Sequence, residues 1–352
     1  MPQRLSRFSQ QVSTVKRPEL GAQPPQLSII LLDWSVRERF FALDWLNNRQ
    51  DVPRDTYETI WVEAYQRVSP DVLDQADQYL ICGQKGAYHK HAAWNAAVLQ
   101  ARGALVTLCD SDAVFHPGFV RSILDSFKVH DERGPVSQVL MHHEWRTLSE
   151  YPGLLRDLRE LDGFQWLPLW PNVGACMTVS RRDYIRFGGL DEHPAYRGYI
   201  CGPYDLAWRM VNAGIPEVWH DPEVALWHFA HPDPHDTRRS GFSLRTWLEI
   251  RRPHIRGHAL EAVEAFSTGR TQPLHENPDI WLLRMQSRRI GTDFEAQYAS
   301  MTGPEGFGLA ARLRLWLSLA ISPLFSLWPS LQPLYLKVRP MLRRLGLTAS
   351  KD

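Results

Sequence analysis

The sequence predicts an α/β protein: a doubly wound mixed sheet flanked by helices. Three observations predict it. Apolar runs of strand length recur at Leu27–Leu32, Thr59–Val62, Gln78–Cys82 and Ala104–Cys109. Segments with helical spacing separate them, as in folds that alternate strand and helix. Three of the runs end on an acid, Asp33, Glu63 or Asp110. In open α/β sheets, ligands gather at the carboxyl ends of strands.

Residues 1–26 are polar, with Pro24-Pro25 near their end, and read as a loose tail. Leu27–Leu32 is the first strand. Val36–Asn48 has helical spacing, with Phe40, Phe41, Leu43 and Leu46 apolar. Two strands follow, one reaching Glu63 and one running out at Gly83. Tyr88–Arg102 is rich in Ala, and Gly103 stands where a helix stops. The next strand leads to Asp110. Pro117 opens a helix, as Pro does at a first helical position. Val136–Met141, Gly174–Val179 and Glu223–Phe229 read as strands. Arg181–Phe187 and Pro203–Ala213 read as helices, stopped by Gly188-Gly189 and Gly214. Residues 233–300 read as a helical extension with a polar face.

With 352 residues, 44% hydrophobic and 22% charged, the chain can bury a large core. A net charge of +1 gives no global attraction for nucleic acid. None of the four cysteines forms a C-x-x-C pair, and Cys82, Cys109 and Cys176 sit in apolar runs. Free thiols in a reducing cytosol are expected. The polar amino terminus has no apolar signal segment.

Asp110-Ser111-Asp112 carries the most chemistry. On an extended chain, side chains at i and i+2 point the same way. Both carboxylates are therefore expected to converge on one Mg²⁺ or Mn²⁺, ions that prefer oxygen ligands and leave positions open for phosphate. A D-x-D alone is a common pattern, and an acidic turn at a strand end produces it too.

Three further pieces appear in order around it: Leu27–Asp33 with Glu63, then Gly86-x-x-x-Lys90-x-x-x-Trp94-Asn95 followed by Ala101-x-Gly103, then, past the D-x-D, Gly188-Gly-Leu-Asp191-Glu192 followed by Asp205-Leu206-x-x-Arg209 and Gly214. With the D-x-D they make residues 27–232 resemble a family 2 glycosyltransferase of the GT-A type. The resemblance implies transfer of a sugar from a nucleotide-diphosphate donor, usually with inversion. It implies that Asp33 and Glu63 hold base and ribose, and that Lys90, Asn95 and Asp110 help bind the nucleotide sugar. It implies a late His as a further metal ligand beside Asp110 and Asp112. Leu226-Trp-His228-Phe-Ala-His231 offers two. Positions three apart face opposite sides of a strand, so one is expected to reach, and His228 is preferred. His142-His143-Glu144 reads as structural. Trp166, Trp170, Tyr196 and Tyr199 fall where such proteins form the acceptor wall.

The match breaks at one place. Family members usually carry Glu-Asp before the Asp-Leu of the last piece, and the Asp of that pair is the base. This chain has Gly202-Pro203 there. Asp205 is the preferred replacement base, with Asp191 and Glu192 the alternatives. A base is needed because the acceptor hydroxyl loses its proton as it attacks carbon. Two rivals remain. One is a non-catalytic module that binds a nucleotide sugar or a partner. The other is a metal hydrolase using His220–His235, disfavoured because Pro232 and Pro234 keep His231 and His235 off one helix.

Residues 301–352 carry seven basic side chains against two acidic ones. Within them Leu315–Leu336 is uncharged but interrupted by Pro323, Pro329 and Pro333. Residues 309–345 are expected to lie on a membrane surface, held by Trp316, Trp328 and anionic lipid. The expected whole is a peripheral enzyme at the cytoplasmic face of the cell membrane. It would build a surface polysaccharide or glycolipid on a saccharide or lipid-linked acceptor.

Overall fold

The computed structural model describes residues 12–16, 23–37, 39–86, 88–128, 135–153, 155–166, 170–171, 176–190, 192 and 203–231. The expected helical extension, the membrane segment, Asp191, Tyr196 and Tyr199 lie outside them. No helix among the described residues is long and apolar enough to cross a membrane.

The strands are β1 (Ser13–Lys16), β2 (Leu27–Asp33), β3 (Tyr57–Glu63), β4 (Gln78–Ile81), β5 (Leu105–Asp110), β6 (Ala113–Phe115), β7 (Val139–Met141), β8 (His143–Glu150), β9 (Trp170–Pro171), β10 (Cys176–Ser180), β11 (Glu217–Trp219) and β12 (Leu226–Ala230). The α-helices are α1 (Phe41–Asn48), α2 (Pro70–Gln75), α3 (Lys90–Gln100), α4 (Phe119–Ser126), α5 (Arg181–Arg186) and α6 (Tyr204–Asn212). Eight strands form a mixed sheet in the order β1-β4-β3-β2-β5-β10-β7-β11. Its centre, β4-β3-β2-β5, is parallel, and β10 runs antiparallel to both β5 and β7.

Why this sheet is covered on both faces follows from the period of two along its strands. Ile30, Leu32, Ile60, Val62, Val106 and Leu108 share one core with Trp94 and Ala97 of α3 and Leu206 and Met210 of α6. The alternate residues Leu27, Ile29, Leu31, Trp61, Leu105 and Cys109 share another with Trp45 of α1, Val72 of α2 and Phe119 of α4. Every residue of β2 and β3 is buried. The doubly wound mixed α/β architecture expected from the sequence is the one that forms. Cys82, Cys109 and Cys176 are free and buried.

A second sheet, β6-β12-β8-β9, was not legible in the sequence. It matters because the chain enters it straight from Asp110. β5 ends there, Ser111-Asp112 turns, and β6 begins at Ala113. β12 runs antiparallel to β6 with His228 opposite Ala113, which sets His228 beside Asp112.

Two boundaries differ from expectation for physical reasons. Ser13–Lys16, part of the expected loose tail, pairs with β4 and extends the sheet. α1 starts at Phe41 rather than Val36, and just before the expected start the chain turns around Asp33. Asp33 accepts from the backbone N–H groups of Trp34 (2.8 Å) and Val36 (3.3 Å), and Ser35 sits at φ 61°. That left-handed conformation cannot belong to a helix.

Gly103 ends the α3 connection against β2. A Cβ there would fall 2.6 Å from the backbone N of Ser28 and 2.7 Å from the carbonyl carbon of Leu27. Its own N–H donates to Ser28 Oγ (2.9 Å). Gly103→Ala is therefore expected to cost about 1–3 kcal/mol, because backbone must move to admit the methyl group. Urea denaturation of the two proteins measures it, and equal midpoints would refute the close approach.

Candidate active site

Four acids stand at or just past the ends of adjacent strands: Asp33 on β2, Glu63 on β3, and Asp110 and Asp112 at the end of β5. Asp33, Glu63 and Asp112 are buried. Taking a carboxylate out of water is expensive unless it is paired, and three of the four have a cation each.

Asp33 meets Arg67 Nη2 at 2.5 Å. Asp110 meets Lys90 Nζ at 2.7 and 3.0 Å from its two oxygens. Lys90 opens α3, and its ammonium lies 5.1 Å from the Trp34 ring centroid and 5.3 Å from that of Trp94. Trp34 itself stacks on Tyr88 with ring centroids 5.0 Å apart. Burial pushes the Asp110 carboxyl up from its ordinary value, and Lys90 opposes the rise.

Asp112 gathers three partners on one oxygen, Oδ2. His228 Nε2 lies at 2.6 Å, His231 Nε2 at 3.2 Å, and Arg37 donates from Nη2. Burial works against ionisation here. The Arg37 and His228 charges outweigh it and hold the carboxyl well below the usual carboxylate range. Burial likewise opposes a charge on His228, yet the Asp112 carboxylate raises it. Behind His228, Nδ1 lies 4.0 Å from Glu144 Oε1. Asp112, His228 and His231 each present a ligand atom within 4.8 Å of the others.

This arrangement departs from the sequence reading in three respects. Asp110 is not part of the cluster on Asp112. The i, i+2 rule needs an extended chain, and Ser111-Asp112 is a turn. His231 joins His228 although strand alternation separates them. β12 ends at Ala230, and its pairing with β8 slips between His228 and Ala230, so alternation does not carry through. Asn95, expected to touch the nucleotide sugar, is spent inside the protein. Its amide nitrogen donates to Leu190 O (2.7 Å) and Glu192 Oε1 (3.0 Å), and its oxygen accepts from Tyr184 Oη and Leu190 N. Those four contacts fill the amide.

The remaining expected residues are placed as follows. Glu192 is held by Asn95, and its carbonyl lies 3.1 Å from His89 Nε2. Asp205 lies in the first turn of α6. Trp166 donates to Leu161 O and packs against Phe229; Trp170 lies in β9. His142 bonds His220 between their Nδ1 atoms at 2.8 Å and Thr178 Oγ1 at 2.9 Å. Burial pushes both imidazoles below the usual range, His220 to about 4, so the pair is neutral and structural. Arg37 and Arg67 have no signal beyond their residue type, and Glu144 falls in the His142-His143-Glu144 cluster that reads as structural. Arg37 pairs with a residue 75 positions away.

A cleft opens beside Asp112. It is lined by Arg37, Arg39, Glu150, Tyr151, Phe229 and His231, among others.

Residues 61–188 match the family described as glycosyl transferase family 2. The resemblance read from the sequence is to this same family, over this segment. The segment contains Glu63, Lys90, Asn95, Asp110 and Asp112 and stops before Glu192, Asp205 and His228. None of the curated proteins matches the chain. Among solved structures, S. aureus TarS residues 1–349 in complex with UDP-GlcNAc aligns at 12% identity and a TM-score of 0.45, over 68% of this chain and 66% of that one. The same fragment in complex with UDP aligns at 13% and 0.40, over 70% and 73%. A further structure of the same fragment aligns at 11% and 0.42, over 84% and 78%. The chain thus spans just under two thirds of the first of these.

Among the described residues Glu63 is the strand-end acid with no ion pair, although the Arg67 charge acts on it weakly. It accepts from Ser35 Oγ (2.5 Å) and Tyr65 N (2.9 Å). Burial, then the Asp33 carboxylate, pushes it from 4.5 up to about 7. Between those values the unfolded chain has already lost a proton that the folded chain keeps. Stability therefore falls as pH rises from about 5 to about 8, by at most about 3 kcal/mol from this group. Glu63→Gln is expected to flatten that slope. Chemical denaturation at both ends of the window measures it, and parallel slopes would show Glu63 ionised throughout.

Proposed function

We propose that the chain transfers a sugar from a nucleotide-diphosphate donor to a saccharide or lipid-linked acceptor, with inversion. What carries this reading is the meeting of Asp112, His228 and His231 at the end of β5, beside a glycosyltransferase-type segment. One carboxylate and two imidazoles suit Mn²⁺, and Mg²⁺ through the oxygen. Asp112 Oδ1 is buried with no hydrogen-bond partner among the described residues. The nitrogens of Arg37, His228 and His231 all gather on Oδ2, so Oδ1 is an oxygen that a cation could satisfy. Glu144 stands behind His228, where an outer carboxylate orients a metal-binding imidazole. A divalent cation held there would neutralise charge building on the departing diphosphate.

In this reading Asp33 and Glu63 bind base and ribose at the ends of β2 and β3. Lys90, already committed to Asp110, fixes that carboxylate beside the donor. Asp205 takes the proton of the acceptor hydroxyl as its oxygen attacks the anomeric carbon; Asp191 and Glu192 are the alternative bases. The nucleoside diphosphate leaves from the opposite face. Residues 309–345 hold the protein to the inner membrane surface, where a polysaccharide or glycolipid acceptor is made. Gly202-Pro203 in place of an acidic pair favours the second reading, a domain that binds the donor and does not turn it over.

Thermal shift against a panel of nucleotide sugars, with and without Mn²⁺, identifies the donor, since a ligand of the folded state raises the melting temperature. Mn²⁺ and donor together are expected to stabilise the wild type but neither Asp112→Asn nor His231→Ala. Donor hydrolysis by the wild type, lowered roughly 100-fold or more in Asp112→Asn, marks an enzyme. Donor binding without any hydrolysis marks the module. No shift with any nucleotide sugar would overturn both.

A further inference from the structure

Arg37 is a buried guanidinium, 3% exposed, lying between two carboxylates. Nη2 donates to Asp112 Oδ2, and Nη1 is 3.7 Å from Asp33 Oδ1. The group lies over Trp34, 4.3 Å from the ring centroid. A guanidinium has five N–H donors, and this one is poorly served. Among the described residues, Nε and Nη1 have no hydrogen-bond partner. Buried donors of this kind are costly to leave unmade. Arg37 also lines the cleft beside Asp112.

The oxygen that Arg37 binds is the one on which His228 and His231 converge. A divalent ion there would share Oδ2 with the guanidinium in a buried, weakly screened place. Like charges at that range repel strongly. Arg37 and a cation are thus alternative partners for one oxygen. Asp33 supplies the guanidinium with a second anchor, so it can leave Asp112 without losing all compensation.

We propose that Arg37 is an exchangeable counter-ion for Asp112: it gives way to a divalent cation and turns its unused N–H groups to the donor diphosphate. This rests on reading Asp112, His228 and His231 as cation ligands. The consequence is coupling. Cation and nucleoside diphosphate bind better together than either alone, because each accepts what the other displaces.

Mn²⁺ titration of the full chain by calorimetry, with and without UDP, tests it. Without UDP, Arg37→Gln is expected to bind Mn²⁺ roughly tenfold or more tighter than the wild type. Arg37→Lys, which keeps a charge, falls between them and serves if the Gln variant does not fold. UDP is expected to tighten Mn²⁺ binding more in the wild type than in either variant. Asp112→Asn supplies the blank. Equal or weaker Mn²⁺ binding by the Arg37 variants, with wild-type binding intact, overturns the exchange and leaves the cation site standing. No Mn²⁺ binding above the blank in wild type or variants removes the cation site and the proposal together.

Discussion

A carboxylate cannot sit inside a protein without positive charge or hydrogen bonds around it, and Asp112 is such a carboxylate. Its partners come from distant parts of the chain. Arg37 leaves the end of β2, while His228 and His231 come from the end of β12. For these to meet, the parallel core of the large sheet must be in register, and the chain must turn at Ser111-Asp112 into β6. The small sheet must also close β12 onto β6. The cluster is thus a statement about the whole described fold. Each element that contributes to it is fixed by burial elsewhere, which lets the fold hold the charged groups in place.

The same constraint explains the pattern of charges along the strand ends. Asp33 has Arg67, Asp110 has Lys90 and Asp112 has Arg37. Glu63 has hydroxyl and amide donors in their place, and burial, then the Asp33 carboxylate, pushes it up to about 7. Asp110 rises as well, because burial outweighs its Lys90 partner. The three cations differ in how well they are held. Lys90 spans both oxygens of its partner under two Trp rings. Arg37, like Arg67, is hydrogen-bonded to its acid through one nitrogen. Of the two, Arg37 is the one whose acid also draws two imidazoles.

The large sheet was legible because β2, β3 and β5 are continuous apolar runs, the mark of strands buried on both faces. The acids at their ends were legible for the same reason, each being the first charge after a run. β8 was not, because His143–Glu150 is mostly polar, with burial that follows its partners more than its sequence. β1 and β6 have four and three residues, too few for a period to show. The D-x-D was found, but its geometry was read from an ideal strand, and a turn sends its two carboxylates to different cations. Between His228 and His231 strand alternation favours one, His228, and that alternation stops at Ala230. Arg37 carries no pattern at all. A single arginine in a loop acquires meaning only when the fold brings Asp112 to it.

Residues that read as one motif divide between chemistry and scaffolding. Arg209 of α6 is wholly buried and donates to the carbonyls of Phe187 and Gly189. Gly188 and Gly189 both have positive φ, at 79° and 64°, a path that needs glycine or strain. Asn95 binds the next residue, Leu190, through its N–H and its carbonyl. The turn is therefore clamped from α6 on one side and α3 on the other just before Glu192. An acceptor base must be held within a fraction of an ångström of its proton, since orientation supplies much of the rate. Arg209 and Asn95 never need to touch a sugar to matter for transfer. They hold still the turn that leads toward Glu192, and Arg209 ties that turn to α6.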